Sequence, residues 1–264
     1  MLRSKVKMTL TDEFPSTWTA SKIDLLKLDL LWNNSKRFDH KFLLSRDDFL
    51  SFANKSSNGF SLLTIDGQNQ FTYQTEYFDT DDLELYFDHA RRRKRRYKVR
   101  IRNYKETSRT RLEVKAHLGN SQTQKFVMED VTSLSDQACN FIGQVFGAVH
   151  PGQRLHHFAE SFSTVAKTQF ERMTFVNEQN HEKVTIDVNL SLTANGQRFD
   201  LPENIFLVEV KTRSPNSNFL REMRKSRFEQ TQFSKYCAAI ELANEFRPRV
   251  TKRKDLEKLF PNNF

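Results

Sequence analysis

The stretch Arg96–Tyr104, RYKVRIRNY, constrains this chain more than any other. Read with the two-residue period of a strand, Lys98, Arg100 and Arg102 point one way. Tyr97, Val99, Ile101 and Asn103 point the other. One strand of this kind is an ordinary solvated face. Four later stretches repeat the division. In Arg111–His117, Glu113, Lys115 and His117 oppose Leu112, Val114 and Ala116. In Phe206–Thr212, Glu209 and Lys211 share a face and Val208 and Val210 oppose them. In Val184–Leu192, Thr185, Asp187, Asn189 and Ser191 oppose Val184, Ile186, Val188, Leu190 and Leu192. In Phe170–Phe175, Arg172 is the charge of interest. Either all these polar faces are wet outer surface, or they line a shared interior whose outer, apolar faces are covered by helices.

Composition narrows the function classes. A net charge of +9 points to a polyanionic partner, whether nucleic acid, a membrane surface or a phosphate chain. Seven glycines, with no GxxxxGK[ST] and no GxGxxG, exclude a phosphate loop built of backbone amides. Any grip on phosphate therefore falls to Lys and Arg. The two cysteines, Cys139 and Cys237, lie in helix-like stretches and fit a reducing compartment. No apolar run reaches the roughly 20 residues a membrane span needs, and Met1–Phe14 lacks an apolar signal core. The expectation is a soluble, cytoplasmic protein.

Along the chain, residues 1–20 read as polar and frayed, with a short helix over Ile23–Trp32. Strands are expected at Phe38–Leu44, Phe60–Ile65 and Phe71–Phe78, and Asp66-Gly67 marks a turn. Ser45–Ala53 reads as a helix capped by Ser45. Asp79–His89 is a connector, followed by the basic run Arg91–Arg96. A strand at Gln124–Met128 and a helix at Ser135–Phe146 come next. Strands Ser161–Phe175, Lys183–Leu192 and Ile205–Thr212 then precede helices near Ser217–Lys225 and Gln232–Asn244. The organisation is an N-terminal extension over 1–37, one domain over 38–246, and a charged tail over 247–264. The class is α+β with a mainly antiparallel sheet.

If the polar faces converge inside a closed barrel, Lys41, Lys98, Arg100, Arg102, Lys115, Arg172, Lys211 and Lys235 gather with Asp39, Glu113, Asp187 and Glu209. Cations outnumber carboxylates. Two like charges ~4 Å apart repel by about 4 kcal/mol at an effective dielectric near 20, which a linear polyanion relieves. The planar fork of Arg suits phosphate oxygens, and a carboxylate such as Glu209 can hold Mg²⁺ or Mn²⁺ bridging them. Phosphoryl transfer asks for alignment and charge neutralisation, which this set supplies. The run Arg91–Arg96 also admits a nucleic-acid or localisation reading, but no aromatics interleave with it as a stacking platform requires. His156-His157 has no second cluster at metal-ligand spacing.

Six short segments resemble the VTC domains, catalytic domains of the vacuolar transporter chaperone complex and their stand-alone microbial relatives. They are Tyr77-Phe78-Asp79-Thr80, Tyr97–Arg102, Leu112–Lys115, Val184–Asp187, Leu207–Lys211 and Phe233–Tyr236, in the family's order. The resemblance runs from about Phe38 to Leu242. It implies the triphosphate tunnel fold, a closed eight-stranded antiparallel barrel shared with CYTH-type triphosphatases. It also implies a polyphosphate polymerase that moves the terminal phosphate of ATP onto inorganic polyphosphate with Mn²⁺ or Mg²⁺. On that resemblance Arg100, Arg102, Lys115, Arg172 and Glu209 are catalytic. Lys41, His89, Lys98, Lys211 and Lys235 bind substrate, and Glu209 and Glu113 hold metal. No specific nucleic acid is expected, and a membrane-protein partner fits the family. Two departures stand out: Asp39-His40-Lys41 replaces the two glutamates and lysine of the triphosphatases, and Gln232 stands where the family can carry a second lysine. A triphosphatase, or a non-catalytic binder of polyphosphate or nucleic acid, remains the alternative.

Overall fold

The computed structural model describes residues 10–32, 37–56, 59–119, 123–149, 159–244 and 249–260. The helices are α1 Ser16–Thr19, α2 Leu25–Trp32, α3 Arg46–Lys55, α4 Glu84–Ala90, α5 Asp136–Val149, α6 Asn218–Lys225, α7 Lys235–Ala243 and α8 Arg253–Leu259. The strands are β1 Ser21–Ile23, β2 Phe38–Ser45, β3 Ser61–Leu63, β4 Phe71–Asp79, β5 Arg95–Tyr104, β6 Arg109–Leu118, β7 Thr123–Glu129, β8 Ser163–Asn177, β9 Glu182–Ala194, β10 Gln197–Asp200 and β11 Ile205–Thr212.

The chain forms two compact units. The first comprises Met1–Phe71, Arg172–Val188 and Glu203–Thr231; the second comprises Thr72–Glu171, Asn189–Pro202 and Gln232–Phe264. Strands β8 and β9 each lend a segment to both.

In the first unit, β11 lies between β2 and β9, antiparallel to each. The alternation of Phe206, Val208 and Val210 with Leu207, Glu209 and Lys211 divides the sheet as the period of two requires. The apolar side, with Phe42, Leu44, Met173, Phe175, Val184 and Ile186, packs against α3 and α6 through Phe49, Phe52, Phe219 and Leu220. Ser45 caps α3 by accepting the Asp48 N–H, and Ser217 caps α6 by accepting the Leu220 N–H, which fixes where each helix begins. At Asp66-Gly67, both residues adopt positive φ in the turn closed by Ile65 and Gln68.

In the second unit, β4, β5, β6 and β7 pair antiparallel in that order. Tyr97, Val99, Ile101, Leu112, Val114 and Ala116 form its apolar side, covered by Ala138, Ile142, Val145 and Phe146 of α5. In the first unit α3 and α6, and in the second α5, therefore lie on the apolar side, while Trp32 of α2 meets Lys183 and the start of α7 meets Lys98 on the charged sides.

Several expectations need correction. The strand order β2-β11-β9-β8-β4-β5-β6-β7 has two ends. Among the described strands β2 pairs with β11 alone, apart from one bridge from Phe42 to Gln230, and β7 with β6 alone, so the sheet is not a closed barrel. Closure needs strand tilt and stagger to agree all the way round, and a two-residue pattern carries no information on either. The N-terminal stretch is not frayed from residue 10 onward. A 3-10 turn at Leu10–Glu13 and α1 bring Phe14 and Trp18 into the first unit's core. The C-terminal stretch holds α8, with Leu256 and Leu259 buried. The connector after β4 contains α4, whose polar residues hide its buried side of Leu85, Tyr86 and Ala90. His156-His157 falls outside the described residues.

Trp18 is fully buried against Phe49, Phe60, Phe175 and Phe219, with ring centroids 4.3–6.0 Å away. Trp18→Ala should cost about 3–5 kcal/mol, because the cavity lies among rigid rings that cannot collapse. Urea denaturation followed by circular dichroism measures it; a loss below about 1 kcal/mol, the range of a solvent-facing change, would return this segment to the surface.

Candidate functional site

Each unit carries a charged face of its own. In the second unit, three cross-strand rows follow from the register of β5 on β6. Arg102 lies opposite Arg111, Arg100 opposite Glu113, and Lys98 opposite Lys115. Arg100 donates from Nε to Glu113 at 2.6 Å and reaches the same oxygen from its terminal nitrogen at 2.5 Å. Lys125 of β7 stands 3.5 Å from the other carboxylate oxygen. Burial opposes ionisation of Glu113, but Arg100, Arg102 and Lys125 outweigh it and hold its carboxyl well below the usual range. Burial pushes the Tyr77 phenol up, but Arg100, Arg102 and Lys235 outweigh it and lower the phenol below its ordinary value.

Arg102 is buried, donates to Thr75 Oγ1 at 3.1 Å, and lies 5.3 Å and 5.9 Å from the ring centres of Tyr73 and Phe170. Tyr73 and Phe170 stack at 5.2 Å. Lys235, the first residue of α7, puts Nζ 4.2 Å from the Phe170 centroid. Lys98 donates to Ser234 Oγ at 3.0 Å, and Ser234 also caps α7. A buried carboxylate holds this helix in place. Asp79 accepts the N–H groups of Thr80, Leu85 and Tyr86 at 2.8–2.9 Å and the Tyr236 hydroxyl at 2.5 Å. Tyr236 is the neighbour of Lys235, so the start of α7 is anchored to the end of β4. His89 is held neutral, first by burial and then by Lys98. Its Nε2–H donates to the Tyr97 carbonyl at 2.9 Å, so it adds no positive charge to the face.

In the first unit, Glu209 sits between Lys41 on β2 and Thr185 on β9, and Lys211 between Asp39 and Lys183. Lys211 Nζ lies 2.6 Å from Glu209 and 3.6 Å from Asp39. Burial disfavours the Glu209 carboxylate, but Lys211, Lys41 and Arg172 overcome it and keep it ionised well below the ordinary range. Arg172 grips Asp187 with two bonds, at 2.5 Å and 2.8 Å. Lys183 stands 4.9 Å over the Trp32 ring. Burial first, then Lys211 and Arg37, push its amine down to about 7.

The model of the VTC domain family matches residues 36–244. The chain belongs to the VTC domain family. Among curated proteins no sequence matches it significantly. Solved structures similar to it include a candidate adenylate cyclase of Bacillus halodurans, at 15% identity over 76% of this chain and 94% of that one, with a TM-score of 0.44. A candidate adenylyl cyclase of Hippeastrum described as having a dominant triphosphatase activity aligns at 12% identity over 78% of this chain and 96% of that one, TM-score 0.46. A conserved hypothetical protein of Pyrococcus furiosus aligns at 13% identity over 74% and 92%, TM-score 0.40.

Within this VTC domain, the cations expected from the sequence fall into the two clusters: Lys98, Arg100, Arg102, Lys115 and Lys235 in one, Lys41, Arg172 and Lys211 in the other. Lys125 and Lys183 join them without having been anticipated. Lys183 has the strand parity of Thr185 and Asp187, and Lys125 that of Val127 and Glu129, so the alternation carried the signal. Among the described residues no three His, Cys, Asp or Glu side chains gather as a cage for a metal. Mg²⁺ and Mn²⁺ accept one or two carboxylates plus substrate phosphates, a need that Glu209 and Asp39 fit. Beside Glu209, the buried Thr185 Oγ1 has no hydrogen-bond partner among the described residues. Glu113, by contrast, already has cations at both oxygens.

Two predictions follow from these charges. Glu113→Gln leaves Arg100 without its counter-ion and should cost about 3 kcal/mol at neutral pH. The folded carboxyl titrates below the unfolded one, so this difference is complete above about pH 4.3 and fades as acid protonates the unfolded chain. Chemical denaturation across pH checks it, and a difference that does not vary with pH would remove the ion pair from the account. Lys183 gives a slope of the same sign in a different window: its folded amine binds protons less readily than the unfolded one, so stability rises between about pH 7 and 10. Anion binding beside it should draw in a proton near pH 7–8, seen calorimetrically as a dependence of binding heat on buffer, and absent in Lys183→Met.

Proposed function

We propose that this VTC domain is a metal-dependent polyphosphate polymerase, moving the terminal phosphate of ATP onto a growing inorganic polyphosphate chain. The observation that carries the reading is an ionised carboxylate, Glu209, kept among Lys211, Lys41 and Arg172 on the strand face opposite the one that α3 and α6 cover. Across from it on β9 the buried Thr185 hydroxyl has no hydrogen-bond partner among the described residues, which a purely structural ion pair leaves unexplained. Membership of the family supports the same reading.

In this scheme Arg100, Arg102 and Lys115 bind phosphate oxygens in the second unit, with Lys98 and Lys235 neutralising further charge, and Arg172 does so in the first, with Lys41 and Lys211. Arg suits the role because its fork takes two oxygens and stays charged at any working pH. Glu209, with Asp39, would hold Mg²⁺ or Mn²⁺, which when bound neutralises charge developing on the transferred phosphoryl group. Lys211 stands between those two carboxylates and orients them. Asp187 fixes the Arg172 guanidinium, and Glu113 fixes that of Arg100, so neither arginine must be ordered when substrate arrives.

The test is to incubate the purified protein with ATP and Mn²⁺ and follow long-chain polyphosphate by gel. Polymer should accumulate with ADP. ADP and free phosphate alone would make the domain a triphosphatase. Glu209→Gln should lower turnover at least a hundredfold, in line with losing a charge-stabilising group at the reacting centre, while polyphosphate still binds. Full turnover in that variant would remove Glu209 and its metal from the site.

A further inference from the structure

The first unit exposes an apolar pair beside a basic stretch. Among the described residues, the large apolar side chains that stand exposed are Leu26, at 73%, and Leu30, at 72%. Both belong to α2. At 3.6 residues per turn they share one side of the helix, and the buried Leu28 and Trp32 lie on roughly the other. Single exposed leucines are ordinary, but two on one helix face, pointing away from the core, have no part in packing. The helix is held in place. The Lys27 amine meets Glu178 at 2.7 Å, and the Lys27 N–H donates to Asp24 at 2.7 Å. Arg213, in the link between β11 and α6, donates to the Leu31 carbonyl at 2.8 Å and so joins the end of α2 to the start of α6. α6 buries Phe219, Leu220 and Met223 and turns Arg221, Arg224 and Lys225 to solvent, followed by the exposed Arg227. Arg224 folds back to the Pro215 carbonyl at 3.3 Å, and Arg221 contacts the Asn218 amide oxygen. These partners are neutral and do not offset the charge. Glu222 of the same helix meets Ser56 at 3.2 Å. With Lys22 of β1, the exposed cations are Lys22, Arg213, Arg221, Arg224, Lys225 and Arg227, against the exposed carboxylates Asp24, Asp29 and Glu229.

We propose that α2 and α6 form a docking surface for a bilayer rich in anionic lipid. Leu26 and Leu30 enter the boundary between headgroups and acyl chains, and Arg213 and the cations of α6 lie against the headgroups. α2 has eight residues, far short of the roughly 20 that cross a bilayer, so it lies at the interface. Interfacial attachment draws on this combination of apolar side chains on one helix face with Lys and Arg for anionic lipid. Other occupants fit less well. A stable protein interface centres on buried aromatic and arginine anchors, and among the described residues no aromatic ring is exposed. A polyphosphate chain or a nucleic-acid backbone would use the cations and leave the leucines in water. None of these side chains is among the groups assigned to phosphate or metal, so this docking does not depend on the polymerase reading.

Flotation of the purified chain tests this, on vesicles of phosphatidylcholine alone and of phosphatidylcholine with an equal share of phosphatidylserine. The chain should float with the second and stay behind with the first. Leu26→Glu combined with Leu30→Glu should weaken vesicle affinity about tenfold. Leu30→Gln alone, carried in case the double variant fails to fold, should weaken it by less. Arg221→Gln, Arg224→Gln and Lys225→Gln together should weaken it about tenfold and flatten its dependence on salt. Arg93→Gln with Arg95→Gln, which removes charge from the exposed run of the second unit, should leave vesicle binding unchanged. ATP turnover measured without vesicles should be the same in all these variants, so failure here and failure of the polymerase reading are told apart. Absence of binding to the anionic vesicles would overturn the docking surface. So would binding that survives the leucine changes, or that falls with the Arg93 and Arg95 changes, since either is the general attraction of a chain with a net charge of +9. Self-association in sedimentation velocity that the leucine changes abolish, without vesicle binding, would assign the face to a second copy and overturn it equally.

Discussion

Repulsion between cations on one face of a strand is the constraint on which the rest of this structure depends. Arg100 and Arg102 lie two residues apart, and a period of two leaves them no choice but to share a side. The price of that arrangement, about 4 kcal/mol for a bare pair ~4 Å apart at an effective dielectric near 20, must be offset locally. Each unit does so in the same manner. A carboxylate on the adjacent strand takes one arginine: Glu113 takes Arg100, and Asp187 takes Arg172. The aromatic rings of Tyr73 and Phe170 meet Arg102 instead.

These pairings explain why the charged faces can be partly buried and remain charged. They also explain where the helices go. Because each strand keeps its ionisable residues on one side, the other side is continuous aliphatic and aromatic surface, and α3, α5 and α6 cover it. Function and stability are thereby segregated by side-chain parity. Exchanging a group on the charged side changes electrostatics, whereas exchanging one on the apolar side opens a cavity in a packed core. Asp79 is the exception: a buried carboxylate at the end of β4 that serves the charged side indirectly, by holding Tyr236 and hence the start of α7.

The division into faces was legible in the sequence, since it depends only on neighbours two residues apart. The strand stretches Arg96–Tyr104, Arg111–His117 and Ile205–Thr212 and the cations of the central strands could all be read that way, and Ser45 was legible as a helix cap. What depends on pairing could not. Whether β2 meets β7, which lysine stands across from Lys115, and that Lys211 lies between Glu209 and Asp39 are matters of register between distant segments. Amphipathic pieces with few apolar residues were also hidden. Trp18 sits in a polar stretch, yet one large ring is enough to anchor it when five aromatic rings, among them Phe14 and Phe175, surround the position. The terminal helix α8 was concealed in the same way by the charges around Leu256 and Leu259.

The central claim is that the charged faces are built to receive an anion and are not merely solvated surface. Thermal unfolding with and without tripolyphosphate, repeated at rising salt, tests it most directly. A ligand that binds the folded chain alone stabilises it by mass action, about 2.7 kcal/mol at a concentration one hundred times Kd. The account predicts a rise in Tm with tripolyphosphate that shrinks as salt screens the charges. A Tm indifferent to tripolyphosphate at low salt would contradict it.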